Sequence, residues 1–236
     1  MSDYVPALEH RYVQSVTREA TCTQEGYTGD LICTRCSCTL ESGTSIPVNR
    51  EHCPSRAFQD LNPDRWYHEG VDFAVSQKLM QGVSATLFQP EGLLTRGQIV
   101  TILYRLAGSP AADCSNPFTD VKKDRYYTAA VSWAYEQGIV LGVTSTLFRP
   151  EQPVTREQLV TFLARYAALK GVDIQPKGDL HAYPDGKQVS PYAEGAMIWA
   201  VEAGLVQGAD GKLAPLGNAT RAQIATILMR YCQLFD

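Results

Sequence analysis

The chain has 236 residues, 44% hydrophobic and 19% charged, the profile of a globular protein with room for one large domain or two ordinary ones. A formal charge of -4 without any Lys/Arg cluster excludes a nucleic-acid or anionic-membrane surface, and no apolar run reaches the roughly 18 residues needed to span a bilayer. Its opening Met-Ser-Asp-Tyr is not a secretory signal peptide.

The first element is a cysteine-rich stretch. Cys22, Cys33, Cys36, Cys38 and Cys53 crowd the first quarter, while Cys114 and Cys232 stand alone. That asymmetry predicts a small β/loop module over residues 1–53 that needs a staple, followed by a core-stabilised remainder. Cys33-Thr-Arg-Cys36 is a single CxxC, with Cys22 upstream and His52 downstream. These four are the candidate ligands for a structural zinc, although zinc ribbons normally carry two such knuckles. Disulfides and free thiols stay open beside zinc. A redox centre fits less well, because no strand feeds a helix at the CxxC.

The remainder is built from an internal repeat. In each copy a first helix is predicted around an aligned aromatic, Trp66, Tyr126 or Tyr192, with Phe73, Trp133 or Trp199 seven residues on. Asp64, Asp124 and Ser190 stand two residues before those aromatics as N-caps, and Pro191 follows at the first helical position. Gly138 and Gly204 are the C-terminal stops, with Lys78 in that place in the first copy. A loop then runs from Gly82, Gly142 or Gly208 to Pro90, Pro150 or Pro215.

A second helix follows, opened by Thr95-Arg96-Gly97-Gln98, Thr155-Arg156-Glu157-Gln158 and Thr220-Arg221-Ala222-Gln223. Thr with Gln three residues later is a capping box, in which each side chain satisfies an orphan backbone N–H. The apolar residues Ile99, Ile102, Leu103 and Leu106 recur at helical spacing, and the other copies repeat the rhythm. The predicted repeats cover residues 57–109, 117–170 and 180–236. A single helix pair cannot bury its apolar faces alone, so the fold class is mainly α, with three helix-loop-helix repeats packed as a pseudo-threefold bundle behind the Cys-rich module.

Arg96, Arg156 and Arg221 occupy the first helical position, where a cation faces the positive end of the macrodipole at a cost of about 0.3–1 kcal/mol. Two readings stand. Each Arg reaches solvent or pairs with Asp60, Asp120 or Asp185, or free N–H groups and a guanidinium converge on an anionic ligand. Arg105, Arg165 and Arg230 repeat as faithfully but sit towards helix C-termini, where the dipole favours them, and read as structural. Trp66, Tyr126 and Tyr192 suit either sugar stacking or packing, and Phe73, Trp133 and Trp199 suit the core. His10, His52, His68 and His181 are the four histidines, and none lies in a nucleophile motif such as GxSxG, so no enzyme and no catalytic residue is expected.

The opening Phe58-Gln-Asp60 and Phe118-Thr-Asp120, degraded to Tyr183-Pro-Asp185, the aromatic at the first helix and the Thr-Arg start of the second together resemble the S-layer homology domain over residues 57 to 236. The resemblance implies non-covalent anchoring of a surface protein to a pyruvylated secondary cell-wall polysaccharide in a Gram-positive envelope, an extracellular location, and no cofactor for the repeats. It implies ligand-binding positions at Arg96, Arg156 and Arg221 in grooves between repeats, supported by Asp60, Asp120, Asp185, the three aromatics and Gly82, Gly142 and Gly208. It also makes the chain a piece of a longer secreted protein. The rival function is self-assembly of a surface layer without glycan. The chain departs from the family in carrying Gln rather than Glu in Thr-Arg-x-Gln, and in its Gly82 and Gly142 loops; Gly208-Ala-Asp210-Gly211 is the usual turn. Residues 20–52 resemble small Cys-containing modules of clostridial surface proteins.

Overall fold

The computed structural model describes residues 9–113, 115–208 and 210–235, so Cys114 and Ala209 lie outside the described residues. The N-terminal module is a set of short strands: β1 (Tyr12–Gln14), β2 (Gly26–Tyr27), β3 (Leu31–Cys33), β4 (Thr39–Glu41) and β5 (Ser45–Ile46). β3 lies between β1 and β4, both antiparallel to it, and β2 pairs with β5. Among its described apolar side chains only Cys33 is fully buried, so the module lacks a core of its own.

Six helices follow: α1 (His68–Ser76), α2 (Arg96–Leu106), α3 (Thr128–Glu136), α4 (Arg156–Leu169), α5 (Glu194–Glu202) and α6 (Arg221–Phe235). The protein is mainly α. Both hydrogen bonds of the capping box form at Thr95/Gln98 and at Thr155/Gln158. Thr220 and Gln223 make the same reciprocal pair at the start of α6. The first helices end where Gly138 (φ 69°) and Gly204 (φ 71°) turn left-handed, and Lys78 takes that conformation with φ 56° despite its Cβ.

The first helices begin later than their sequence suggests. α1, α3 and α5 start at His68, Thr128 and Glu194, with Tyr67, Tyr127 and Ala193 in the cap position and no side-chain cap bond. The expected caps are engaged elsewhere. Asp64 pairs with Arg50, Asp124 is left-handed at φ 62°, and Ser190 donates its hydroxyl to Glu157. Pro191 falls in the preceding turn rather than at the first helical position.

Helix packing crosses repeat boundaries. α1 packs on α6, α3 on α2, and α5 on α4, so the first helix of each repeat lies against the second helix of another. Backbone bridges join every pair of repeats, at Thr95–Pro153, Thr155–Asn218 and Leu93–Thr220. The fully buried Tyr166 and Tyr231 rings sit 5.9 Å apart, and Trp133 packs against both Tyr166 and Tyr104.

Candidate functional site: grooves between repeats

The loop that precedes each second helix is held by the aspartate of the repeat's opening motif. Asp60 accepts from the N–H groups of Phe88 and Gln89, Asp120 from those of Phe148 and Arg149, and Asp185 from those of Leu213 and Ala214, at 2.6–3.0 Å. The second residue of each pair is left-handed, at φ 57° for Gln89, 58° for Arg149 and 47° for Ala214. Two charge-assisted bonds from one carboxylate hold a conformation that L residues avoid. Burial pushes the Asp185 carboxyl up, but the N–H donors of Leu213 and Ala214 outweigh it and hold it below its ordinary 3.8.

The clamped carbonyl is then read by an arginine from another repeat. Arg96 Nε donates to Phe148 O at 2.9 Å, Arg156 Nε to Leu213 O at 2.6 Å, and Arg221 Nε to Phe88 O at 2.7 Å. Arg96 is 3% exposed and lies 4.7 Å from the Phe148 ring centre; burial pulls its pKa down to about 10. None of the three arginines forms an ion pair with Asp60, Asp120 or Asp185 among the described residues, because those carboxylates are occupied by backbone N–H groups.

The helix-start N–H groups are not free either, which corrects the expectation that they join a guanidinium around an anion. Arg96 and Gly97 donate theirs to Gln152 O and Pro150 O, Arg156 and Glu157 to Gly217 O and Pro215 O, and Arg221 and Ala222 to Gly92 O and Pro90 O. The next N–H in each helix goes to the capping threonine. Arg96 and Arg156 nonetheless each line a groove wall. No Nη donation by Arg96 or Arg156 occurs among the described residues, whereas Arg221 Nη2 donates to Gln81 O at 2.5 Å.

Two grooves form beside these arginines. One, of about 370 Å³, is lined by Arg96, Gly142, Arg165 and Tyr192 among others; the second, of about 460 Å³, is lined by Arg156, Trp66, Gly208 and Arg230. Each groove therefore draws residues from all three repeats. Trp66, Tyr126 and Tyr192 are 58%, 57% and 54% exposed, unlike the buried Trp133 and Trp199. The glycines are needed for space. A Cβ on Gly142 would stand 2.4 Å from Thr144 O and 2.6 Å from the Phe118 ring, and one on Gly82 would meet Phe58 and Ser84 as closely.

Sequence reasoning missed two groove features. Arg165 and Arg230, read as structural, do donate to Ile139 O and Leu205 O, yet they also line the grooves and give each a second cation. Glu157, buried at 3% exposure, accepts from Ser190 N–H, the Ser190 hydroxyl and the Tyr192 hydroxyl, which ties the start of α5 to α4. Gly97 and Ala222 hold the matching positions, so the tie exists in one copy alone. The faithful repetition of Arg165 and Arg230 at one position of the second helix was the available signal for the first; nothing local signals the second.

The proposed zinc ligands Cys22, Cys33, Cys36 and His52 do not converge. Cys33 and Cys36 gather with His10 and Cys38, and Cys22 gathers with Cys53, His68 and Asp72. His52 closes an exposed 3-10 turn, Arg50–His52, while its half-buried neighbour Cys53 joins the Cys22 cluster instead. The Cys33 sulfur accepts the backbone N–H groups of Arg35 and Cys36, which pull its thiol down to about 6 and favour the thiolate.

The S-layer homology domain family matches residues 57–100, 117–160 and 182–225, and the chain belongs to it. An endoglucanase of Bacillus sp. (strain KSM-635) is 31% identical over 78% of this chain, and the surface-layer 125 kDa protein of Lysinibacillus sphaericus is 31% identical over 84%. A cell surface protein of Thermoanaerobacter kivui is 35% identical over 49%. The matches cover 19%, 16% and 15% of those relatives, so the chain spans a fifth of their length or less. The family and the surface-layer relatives place the chain at the cell surface or wall, as a module that anchors proteins there. No described helix is long and apolar enough to cross a membrane.

Proposed function

We propose that the three repeats close into a pseudo-threefold bundle and hold an anionic, pyruvylated secondary cell-wall polysaccharide in the grooves under Arg96 and Arg156, anchoring the protein without catalysis. The observation that carries this reading is the pairing, in each of two grooves, of two guanidiniums with one exposed aromatic and a glycine-floored wall. A pyruvyl carboxylate suits a fork of guanidinium donors, and an aromatic face suits the apolar side of a pyranose. Asp60, Asp120 and Asp185 serve the site indirectly, by fixing the loop that fixes each arginine. The two grooves differ in where their acid sits. Glu91 lines the Arg156 groove, and in the Arg96 groove Tyr192 carries Glu157 on its hydroxyl, so the two need not take the same part of the chain of sugars.

Sedimentation with purified wall sacculi tests the reading. The protein is expected to pellet with native sacculi and to stay in the supernatant once the polysaccharide is stripped. Pelleting in the absence of sacculi would instead support self-assembly, and equal pelleting with stripped sacculi would overturn the proposal.

A further inference from the structure

Cys22, Cys53, His68 and Asp72 come from three separate stretches of chain, yet one potential ligand atom from each lies within 4.8 Å of all the others. The Cys22 sulfur is 2.7 Å from Asp72 Oδ2, the Cys53 sulfur 3.5 Å from His68 Nε2, and His68 Nε2 3.2 Å from Asp72 Oδ2. Ligand atoms around a tetrahedral zinc with Zn–S near 2.3 Å and Zn–N or Zn–O near 2.0 Å stand roughly 3.3–3.8 Å apart, so only small side-chain shifts separate this cluster from a coordination shell.

The other repeats supply an internal comparison. His68 and Asp72 sit one turn apart on α1; the same positions hold Thr128 and Ser132 in α3, and Glu194 and Ile198 in α5. Only the repeat that follows the cysteine module carries this pair. It carries it buried, at 4% and 7% exposure, where a lone carboxylate is costly. Asp72 Oδ1 is fixed by the Ser55 N–H at 2.9 Å, which leaves Oδ2 for the Cys22 sulfur, as hydrogen bonds from neighbouring groups orient metal-bound carboxylates.

We propose that Cys22, Cys53, His68 and Asp72 bind one structural zinc ion that welds the N-terminal module to the first repeat. Binding releases the two thiol protons, so two thiolates, one carboxylate and a neutral imidazole surround the dication and the site carries a net charge of -1. Four protein ligands in a largely buried pocket leave no open position, the arrangement of a structural rather than a catalytic zinc. The weld matters because, among the described residues, the other side-chain links across the junction are exposed ones. Arg50–Asp64 is an exposed ion pair, and Thr23 Oγ1 to Glu69 is an exposed hydrogen bond, both weak by nature. A disulfide between Cys22 and Cys53 would account for two of the four groups and leave the His/Asp pair on α1 without a reason.

We further propose, from separate observations, that the module's own cluster of His10, Cys33, Cys36 and Cys38 binds a second zinc. His10 Nδ1 is 3.4 Å from the sulfurs of Cys33 and Cys36 and 3.9 Å from that of Cys38, and a tight turn at Ser37 (φ 58°) brings the three sulfurs together. Cys33 accepts the Arg35 N–H, the kind of N–H to sulfur bond that supports a bound thiolate.

Zinc content of the full chain, purified with zinc and dialysed, separates the outcomes. The unaltered protein is expected to hold two zinc ions in native mass spectrometry. The Cys36→Ser/Cys38→Ser chain should hold one, and further replacement of Cys22→Ser and Cys53→Ser should remove it. Chelation of the Cys36→Ser/Cys38→Ser chain should lower its melting temperature and open residues 50–56 to protease. Circular dichroism of each chain checks that the six helices persist; if the quadruple variant loses them, Cys22→Ser, on a half-buried bend, replaces the Cys22→Ser/Cys53→Ser pair. A helical Cys36→Ser/Cys38→Ser chain that holds no zinc, or whose denatured mass is two hydrogens light from a Cys22–Cys53 disulfide, would overturn the weld. A Cys22→Ser/Cys53→Ser chain without zinc would overturn the module's own site.

Discussion

Asp185 shows how much a single carboxylate does in this fold. It is 7% exposed and accepts two consecutive loop N–H groups, and the loop it holds presents Leu213 O to Arg156. Replacing it by Ala should cost about 2–3 kcal/mol, since two buried donors lose a charged acceptor. The pH dependence has a definite sign. The folded carboxyl sits below its unfolded value of 3.8, so its contribution is complete above that value and fades as pH falls through the folded one. Urea midpoints of wild type and Asp185→Ala should therefore lie far apart at pH 7 and converge below pH 3.8. An equal gap at both pH values would show that the carboxylate charge is not what matters. The sequence marked Asp60, Asp120 and Asp185 as repeated but read them as partners of the arginines; their actual partners lie 28 and 29 residues downstream, beyond any local pattern.

At the scale of elements, what is encoded within four residues was legible. The capping boxes at Thr95, Thr155 and Thr220 and the left-handed stops at Gly138 and Gly204 form as the sequence reads, because each needs only neighbouring residues. Lys78 is the flaw in that set. Its φ of 56° strains a residue with a Cβ, where the other two copies use glycine. Lys78→Gly should raise stability by about 1 kcal/mol, read as a shift in denaturant midpoint with unchanged slope. A loss would mean that the lysine stem contributes packing that outweighs the strain. The starts of α1, α3 and α5 were misread for the opposite reason. Asp64 and Ser190 have good capping chemistry, but distant partners, Arg50 and Glu157, claim them.

Across the whole molecule, the contacts that build the grooves join different repeats, and a periodic pattern within one repeat does not reveal them. Helix-start N–H groups that look available in the sequence are taken by carbonyls of another repeat's loop. The proposed metal ligands were half legible. Cys33 and Cys36 are neighbours in sequence, but His10 and Cys38 reach their cluster, and Cys53, His68 and Asp72 reach Cys22, only in three dimensions, although the His68/Asp72 pair breaks the repeat and could have been noticed. The arginines likewise differ from one another in the fold. Arg221 spends both Nε and Nη2 on Phe88 and Gln81 carbonyls, while Arg96 and Arg156 spend Nε. Because Arg156 Nε holds Leu213 O, its removal costs some stability, about 1–2 kcal/mol, and does not relieve the helix end as its position alone suggests.

Calorimetric titration of purified wall polysaccharide into folded protein tests the central claim most directly, with binding expressed per folded molecule. Arg156→Ala should weaken binding about 10- to 100-fold, the worth of a hydrogen bond to a charged group, and Arg156→Lys should restore part of it because an ammonium cannot make the bidentate contact. Arg96→Ala should act likewise at its own groove, and Arg221→Ala should lower stability more than affinity. Unchanged affinity of the folded Arg96→Ala and Arg156→Ala proteins would contradict the account and leave these arginines as struts between repeats.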